Sequence, residues 1–139
     1  MESKLSIYSD GGARGNPGHA ACGVVFSKDG KVVFKGSKFL GEATNNVAEY
    51  RGVIFALETL SKNREWSADA PVDFFLDSEL IVNQLNGKYK IKNQLLATLS
   101  FKVKKLEKNL STKIIYQHIP RPKNFTADFL VNEELDRHQ

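Results

Sequence analysis

YSDGGARGNPG, residues 8–18, follows a segment that alternates between apolar and polar residues, with Leu5 and Ile7 on one side. A period of two residues is typical of a half-buried β-strand. Because Asp10 is followed by two glycines, we expect the strand to end there, where bare backbone lets a ligand approach its carboxylate. An aspartate in an ordinary turn would give the same pattern, so this stretch alone leaves both interpretations open.

Two apolar runs come next, at residues 20–27 and 31–40, and Asp29-Gly30 joins them. Asp-Gly between apolar runs is a strong signal for a β-hairpin. We therefore predict that three antiparallel strands open the chain.

The period then changes to helical spacing, with Asn45 or Asn46 as a candidate N-cap. The later elements that we predict are a helix over residues 46–63, a buried strand over 72–76, a short helix capped by Ser78, an amphipathic helix over 95–110 with Leu95, Leu99, Val103, Leu106 and Leu110 on one face, a strand over 112–119 and a helix from about Thr126. This order predicts the α/β class: a five-stranded mixed sheet, three antiparallel strands and then two parallel ones, flanked by helices.

Four acidic residues stand at the ends or in the first turns of these predicted elements: Asp10, Glu49, Asp77 and Asp128. Glu49 shares an apolar helical stripe with Val53, Ala56 and Leu60, and a buried glutamate needs a partner. Each acid also has an ordinary structural explanation, as a turn residue, a helix cap or a complement to a helix dipole. Taken one at a time, these residues do not settle a function.

Composition sets broad limits on the protein. Its 139 residues, 41% of them hydrophobic, suit one domain that spans residues 1–139. Neither a signal peptide nor a membrane-spanning run is evident, and Cys22 is the only cysteine, so we expect a soluble cytoplasmic protein with a buried thiol. A net charge of +4 is compatible with a polyanionic partner without identifying one.

Four ordered blocks carry a family resemblance. They are YSDGGARGNPG at residues 8–18, TNNVAE at 44–49, DSEL at 77–80 and HIPRPKNFTAD at 118–128. Together they resemble ribonuclease H type 1, over nearly the whole chain from about residue 4 to 135. The resemblance implies a single ribonuclease H-like domain that hydrolyses the RNA strand of RNA/DNA hybrids to 5′-phosphate and 3′-hydroxyl products.

The family's four metal-site carboxylates carry over onto Asp10, Glu49, Asp77 and Asp128. Oxygen ligands suit two Mg²⁺ ions, with Mn²⁺ as an alternative, which could activate water for in-line attack on a phosphate. Because four clustered carboxylates repel one another, we predict that at least one holds a proton unusually well without metal. The resemblance assigns His118 to proton transfer or product release.

The resemblance also implies residues that recognise the substrate. Those matching the readers of the RNA 2′-hydroxyl are Gly11, Gly12, Ala13, Asn16, Asn45 and Glu79, while Asn16 and Thr44 match positions that hold a DNA phosphate. Glu79 stands where many bacterial members carry glutamine, so double-stranded RNA is a second candidate substrate. The basic helical handle of some members is absent, because residues 86–92 run almost directly into the predicted helix that starts at Leu95.

Three alternatives remain open at this stage. The chain could be a DNA nuclease or recombinase of the same fold, or a hybrid-binding module without catalysis. It could also be a domain of a reverse transcriptase, although the start at Met1 and the complete last block favour a free-standing protein, which we expect to be monomeric. The intact set of four acids favours an active nuclease over a binding module.

Overall fold

The computed structural model describes residues 4–139. Its single sheet has the order β3-β2-β1-β4-β5. The strands are β1 (Leu5–Gly15), β2 (Gly18–Lys28), β3 (Lys31–Ala43), β4 (Val72–Leu76) and β5 (Ile114–His118). β1, β2 and β3 are antiparallel neighbours, whereas β4 runs parallel to β1 and β5 parallel to β4. The predicted five-stranded mixed sheet is therefore confirmed.

β1 is longer than predicted, since it does not end at Asp10. It continues antiparallel to β2 as far as Gly15, and Asp10 lies opposite Gly23 in this register. The prediction was wrong because the partner strand stabilises an extended backbone through the glycines. What ends near Asp10 is the parallel pairing with β4, which reaches only as far as Tyr8. Beyond Tyr8 the β4 side of β1 is free to form a cleft.

Four helices flank the sheet: α1 (Asn45–Ser61), α2 (Glu79–Leu85), α3 (Gln94–Leu110) and α4 (Phe125–Arg137). α1 packs on β1 and on α3, over a large apolar core that includes Phe26, Leu57 and Phe74. α4 packs mainly on β2, where Ala21 and Val131 belong to a second, smaller apolar cluster. Cys22 is fully buried, as predicted.

Two helix starts test the predicted caps. The prediction that Asn45 or Asn46 caps α1 was wrong: the Val47 N–H donates to Thr44 Oγ1 at 3.2 Å, and Asn45 is the first helical residue. Ser78 caps α2 as predicted, because its Oγ accepts from the Ile81 N–H at 3.3 Å. Asp77 is therefore not the cap of α2, and its carboxylate is available for other contacts.

The buried face of α3 starts one residue later than predicted. Leu95 is 55% exposed, whereas Leu96 is only 6% exposed and joins the large core with Val103 and Leu110. Between α2 and α3 the chain forms no helix over residues 86–93, which confirms that a helical handle is absent from this segment. No helix within residues 4–139 combines the length and apolar character needed to cross a membrane.

Candidate metal and nucleic-acid site

Three of the predicted acids meet at one end of the sheet. Asp10 on β1, Glu49 on α1 and Asp77 after β4 each offer a carboxylate oxygen, and these oxygens all lie within 4.8 Å of one another. Asp128, in the first turn of α4, lines the same cleft, whose volume is about 340 Å³. The fold thus brings together acids from four elements that are far apart in the chain.

Glu49 is held at this position by backbone contact. It is 6% exposed, and its Oε1 accepts a hydrogen bond from the Gly11 N–H at 2.9 Å. A Cβ atom on residue 11 would lie 2.3 Å from the Ala48 carbonyl, so only glycine lets α1 approach β1 this closely. Glu49 Oε2 is buried and receives no hydrogen bond from an N–H or hydroxyl group of the described residues. One oxygen of this glutamate is therefore oriented by the fold and the other is left for a ligand.

The electrostatics of the cluster favour a bound cation. Burial raises the pKa of Asp10 to about 7; a hydrogen bond with Glu49 opposes this shift, and the charges of Asp77 and Asp128 add to it. Burial, and then the neighbouring Asp10, also raises the pKa of Glu49 well above its usual value. The prediction that at least one acid holds a proton unusually well is confirmed.

No lysine, arginine or histidine of residues 4–139 forms a salt bridge with these four acids. Buried carboxylates without a counterion are unfavourable, whereas a divalent cation would satisfy them. The donor set consists of oxygen atoms, which suits hard ions such as Mg²⁺, Mn²⁺ or Ca²⁺ better than zinc. The residues present therefore fit a divalent metal.

Comparison with known proteins identifies the family. The profile of the reverse transcriptase-like family matches residues 8–134. LC11-RNase H1, isolated from compost and solved in complex with an RNA/DNA hybrid, is 43% identical with a TM-score of 0.93, covering 97% of this chain and 99% of that one. This chain belongs to the ribonuclease H type 1 family.

Two further members of the family are similar to this chain. RNase H1 from the archaeon Halobacterium salinarum NRC-1 is 36% identical with a TM-score of 0.88, covering 96% of this chain and 98% of that one. The bifunctional protein Rv2228c of Mycobacterium tuberculosis is 41% identical over 135 residues, 96% of this chain. The chain spans only 36% of the length of that protein, which is among the first curated relatives it matches.

Hydrogen bonds link the residues that match the family's substrate readers. The Ala13 N–H donates to Asn45 Oδ1 at 2.8 Å, and the Asn45 N–H donates to Asn16 Oδ1 at 3.0 Å. The N–H groups of Ala13 and Gly11 are therefore already used within the protein. The side-chain amide nitrogens of Asn45 and Asn16 have no partner in the described part of the chain, and the two side chains are oriented through their oxygens. Gly12 and Asn45 also line the acid cleft.

Four predicted site residues do not line the acid cleft: Asn16, Thr44, Glu79 and His118. Thr44 caps α1 and borders a neighbouring depression with Arg51. Glu79 is exposed at the start of α2. His118 is the last residue of β5 and is exposed. In the strand register it lies beside Leu76, which directly precedes Asp77. The structure places these four around the acids rather than among them.

Two arginines line the cleft in different ways. Arg14 forms a salt bridge with Asp136 at 2.7 Å and also contacts Asn132, so it is held by α4. The Arg121 side chain has no hydrogen bond or ion pair within residues 4–139. An unpaired guanidinium beside carboxylates that would hold a metal is suited to contact a phosphate.

Sequence reasoning missed two residues that shape the site. Gly23 lies opposite Asp10, and a Cβ there would lie 2.8 Å from the Ala127 carbonyl, so glycine allows α4 to approach β2 and bring Asp128 in. Asn124 is buried between the sheet and the start of α4. Gly23 carries no local sequence signal, and Asn124 lies within the HIPRPKNFTAD block without its role being evident there, because both roles depend on contacts between distant segments.

Proposed function

We propose that this chain is an endoribonuclease that hydrolyses the RNA strand of RNA/DNA hybrids and leaves 5′-phosphate and 3′-hydroxyl ends. The observation that carries the proposal is the acid cluster, which is buried, has no counterion within the described residues and occurs in a ribonuclease H type 1 chain. LC11-RNase H1 has been solved with an RNA/DNA hybrid, which supports this substrate class.

The same acids are proposed to hold two Mg²⁺ ions, with Mn²⁺ as an alternative. Bound Mg²⁺ would lower the pKa of water and stabilise the leaving oxygen of an in-line displacement. The chain supplies the carboxylates of Asp10, Glu49, Asp77 and Asp128, and the Gly11 N–H orients Glu49. Because Asp10 titrates near pH 7 without metal, its proton must leave before the carboxylate can act as a full ligand.

Hybrid selection is proposed to depend on the linked amides of Asn45 and Asn16, whose nitrogens can donate to an RNA 2′-hydroxyl or a phosphate. Gly11, Gly12 and Ala13 would let the sugar approach the backbone, Thr44 would contact the DNA strand and Arg121 would contact a phosphate. Glu79, when ionised, can accept a hydrogen bond from a 2′-hydroxyl but cannot donate one. Relaxed selection, with cleavage of double-stranded RNA, is the alternative that this residue supports.

His118 is proposed to assist proton transfer or product release, because the end of β5 lies beside the end of β4, next to Asp77. Replacing His118 by alanine should lower kcat by roughly 100-fold, the low end of general acid–base effects, and change KM little. His19→Ala is the matched control, since His19 is also exposed and lies in β2, outside the cleft lining. An unchanged kcat in His118→Ala would make His118 a surface residue.

We further propose that residues 1–139 act as one domain and as a monomer in the cytoplasm. The single cysteine, buried in β2, is compatible with a reducing compartment. Size-exclusion chromatography with light scattering checks the oligomeric state, and a dimer mass would contradict this proposal.

The decisive experiment is cleavage of an end-labelled RNA/DNA hybrid with Mg²⁺, beside an EDTA control and matched duplexes of DNA and of RNA. The proposal expects metal-dependent cutting of RNA in the hybrid and intact duplex DNA. Cutting of duplex RNA as well would favour the alternative of relaxed selection. A folded protein that binds the hybrid without cutting it would be a binding module.

A further inference from the structure

Asn124 makes two buried hydrogen bonds at the base of the acid cleft. It is 1% exposed, and its Nδ2 donates to the Ser9 carbonyl oxygen at 2.9 Å and to Asp77 Oδ2 at 3.1 Å. A carbonyl and a carboxylate both act as acceptors, so the amide nitrogen must face them. Both hydrogens of this amide are therefore used, one on the backbone of β1 and one on Asp77.

The position of Asn124 in its own helix makes this arrangement unusual. Asn124 is the N-cap residue of α4, and asparagine at an N-cap ordinarily accepts a hydrogen bond from the first turn. Here its side chain makes no such bond, and its Oδ1 is buried without a partner among residues 4–139. The start of α4 therefore lacks a side-chain cap, and Asn124 Oδ1 has no hydrogen-bond donor among the described residues. Both N–H groups of the Asn124 amide instead bind acceptors beside the acids.

The two bonds connect three of the four acids. Ser9 directly precedes Asp10 on β1, Asp77 accepts the second bond, and α4 begins after Asn124 and carries Asp128 in its first turn. We propose that Asn124 is a positioning residue, which orients Asp77 and anchors the start of α4 to β1 so that the carboxylates keep the spacing a divalent ion requires. This inference rests on the proposed function, because it assumes that the cluster binds Mg²⁺.

The alternative role is structural, in which these bonds only stabilise the fold. The two roles differ in what truncation of the amide does to metal binding. A group that orients a metal ligand changes metal affinity, typically by about 10- to 100-fold when it is removed. A bond that only stabilises the fold lowers the melting temperature and leaves the affinity of the folded protein unchanged.

The test uses Asn124→Ala, with Asn86→Ala as the matched control. Asn86 also donates from Nδ2 to a backbone carbonyl, that of Tyr116 at 3.2 Å, but does not line the acid cleft. Calorimetric titration of each folded protein with Mg²⁺ gives the midpoint of metal binding without measuring activity, and the melting temperature is recorded over the same Mg²⁺ concentrations. Cleavage of the hybrid at saturating Mg²⁺ then gives kcat and KM.

Asn124→Ala is expected to raise the Mg²⁺ midpoint about 10-fold, to recover much of its kcat at high Mg²⁺ and to keep the wild-type KM for the hybrid. Asn86→Ala should lower the melting temperature at every Mg²⁺ concentration and leave the midpoint unchanged. A wild-type midpoint in Asn124→Ala, with only a lower melting temperature, would overturn the positioning role.

Two further outcomes are decided by the same titration. If Asn124→Ala does not fold, Asn124→Ser replaces it, because serine can serve at most one of the two acceptors and should also raise the midpoint; an unchanged midpoint again overturns the inference. A wild-type protein that shows no stabilisation by Mg²⁺ would overturn the proposed metal site itself, and the inference with it. Failure of the function and failure of the positioning role are thus distinguishable.

Discussion

Glu49 and Glu134 are both buried glutamates on helices, 6% and 9% exposed, yet their surroundings are opposite. Glu134 accepts hydrogen bonds from the Ser37 hydroxyl, at 2.7 Å, and from Arg137, and these contacts lower its pKa. Within residues 4–139, Glu49 accepts a backbone hydrogen bond from the Gly11 N–H and otherwise faces the Asp10 carboxyl, and burial raises its pKa. The charge of Glu134 is satisfied within the protein, whereas an ionised Glu49 has no counterion within the described residues.

The difference shows how one residue type serves stability in one region and function in another. Around Glu134, the salt bridge with Arg137 links one turn of α4, and the bond to Ser37 ties that helix to β3. Around Glu49, clustered acids work against the metal-free fold. Such local conflict is expected at functional sites, which trade stability for activity.

Replacement of each glutamate by glutamine tests the comparison most strongly. Glu49→Gln should reduce hybrid cleavage by about 1,000-fold, which corresponds to about 4 kcal/mol of transition-state stabilisation, because it removes a charged metal ligand. Glu134→Gln should cleave at nearly the wild-type rate. The measurement is single-turnover cleavage at saturating Mg²⁺. Comparable rates for the two variants would contradict a functional role for Glu49 and a structural role for Glu134.

The two regions should also respond to pH with opposite signs when metal is absent. Folded Asp10 holds its proton up to about pH 7, whereas the unfolded chain releases it near its usual pKa of 3.8. Between these values the folded state binds more protons, so the free energy of unfolding falls as pH rises, by up to about 4 kcal/mol. Glu134, with its lowered pKa, contributes stability that is present above its usual pKa of 4.5 and is lost as pH falls below it.

Urea unfolding in EDTA, from about pH 4 to pH 8, measures this slope, and the difference between wild type and Asp10→Asn isolates the contribution of the cluster. Asp10→Asn should be more stable than wild type near neutral pH and lose the advantage in acid. A constant difference across the range would contradict the raised pKa of Asp10.

Added Mg²⁺ should stabilise the protein only through the acid cluster around Glu49. At a metal concentration about 100 times Kd, the free energy of unfolding should rise by about 2.7 kcal/mol in wild type. The Glu134→Gln variant should gain the same amount and Glu49→Gln should gain little. The gain in wild type should also grow with pH, since the acids must lose their protons to bind metal. Equal gains in both variants would mean that Mg²⁺ binds elsewhere.

The smallest expected effect is on the stability that Glu134 adds through its contacts with Ser37 and Arg137. Glu134→Gln should lower the free energy of unfolding by about 1 kcal/mol, a few degrees in Tm, because it weakens hydrogen bonds to a charged acceptor. Differential scanning calorimetry in Mg²⁺ measures the shift, and Glu133→Gln, on the same helix but in a more exposed ion pair, serves as control. A Tm equal to that of wild type would show that this network adds no stability.

Local sequence patterns were accurate where near neighbours decide the structure and failed where distant segments do. Ser78 was correctly predicted as a cap because its partner, Ile81, is three residues away. The strand was predicted to end at Asp10 because glycines are typical of turns, but pairing with β2 extends it to Gly15. Strand propensity is strongly modified by the partner strand, which a reading of single segments does not contain.

The sequence by itself determined the order of helices and strands, the mixed α/β class, the family and the identity of four acids. Only the tertiary structure decided that three of these acids meet within 4.8 Å, that Glu49 lacks a counterion where Glu134 has one, and that Asn124 reaches Asp77 across 47 residues of chain. The physical reason is that periodicity records which face a residue occupies. Burial, pKa and metal affinity depend instead on which other segments pack against that face.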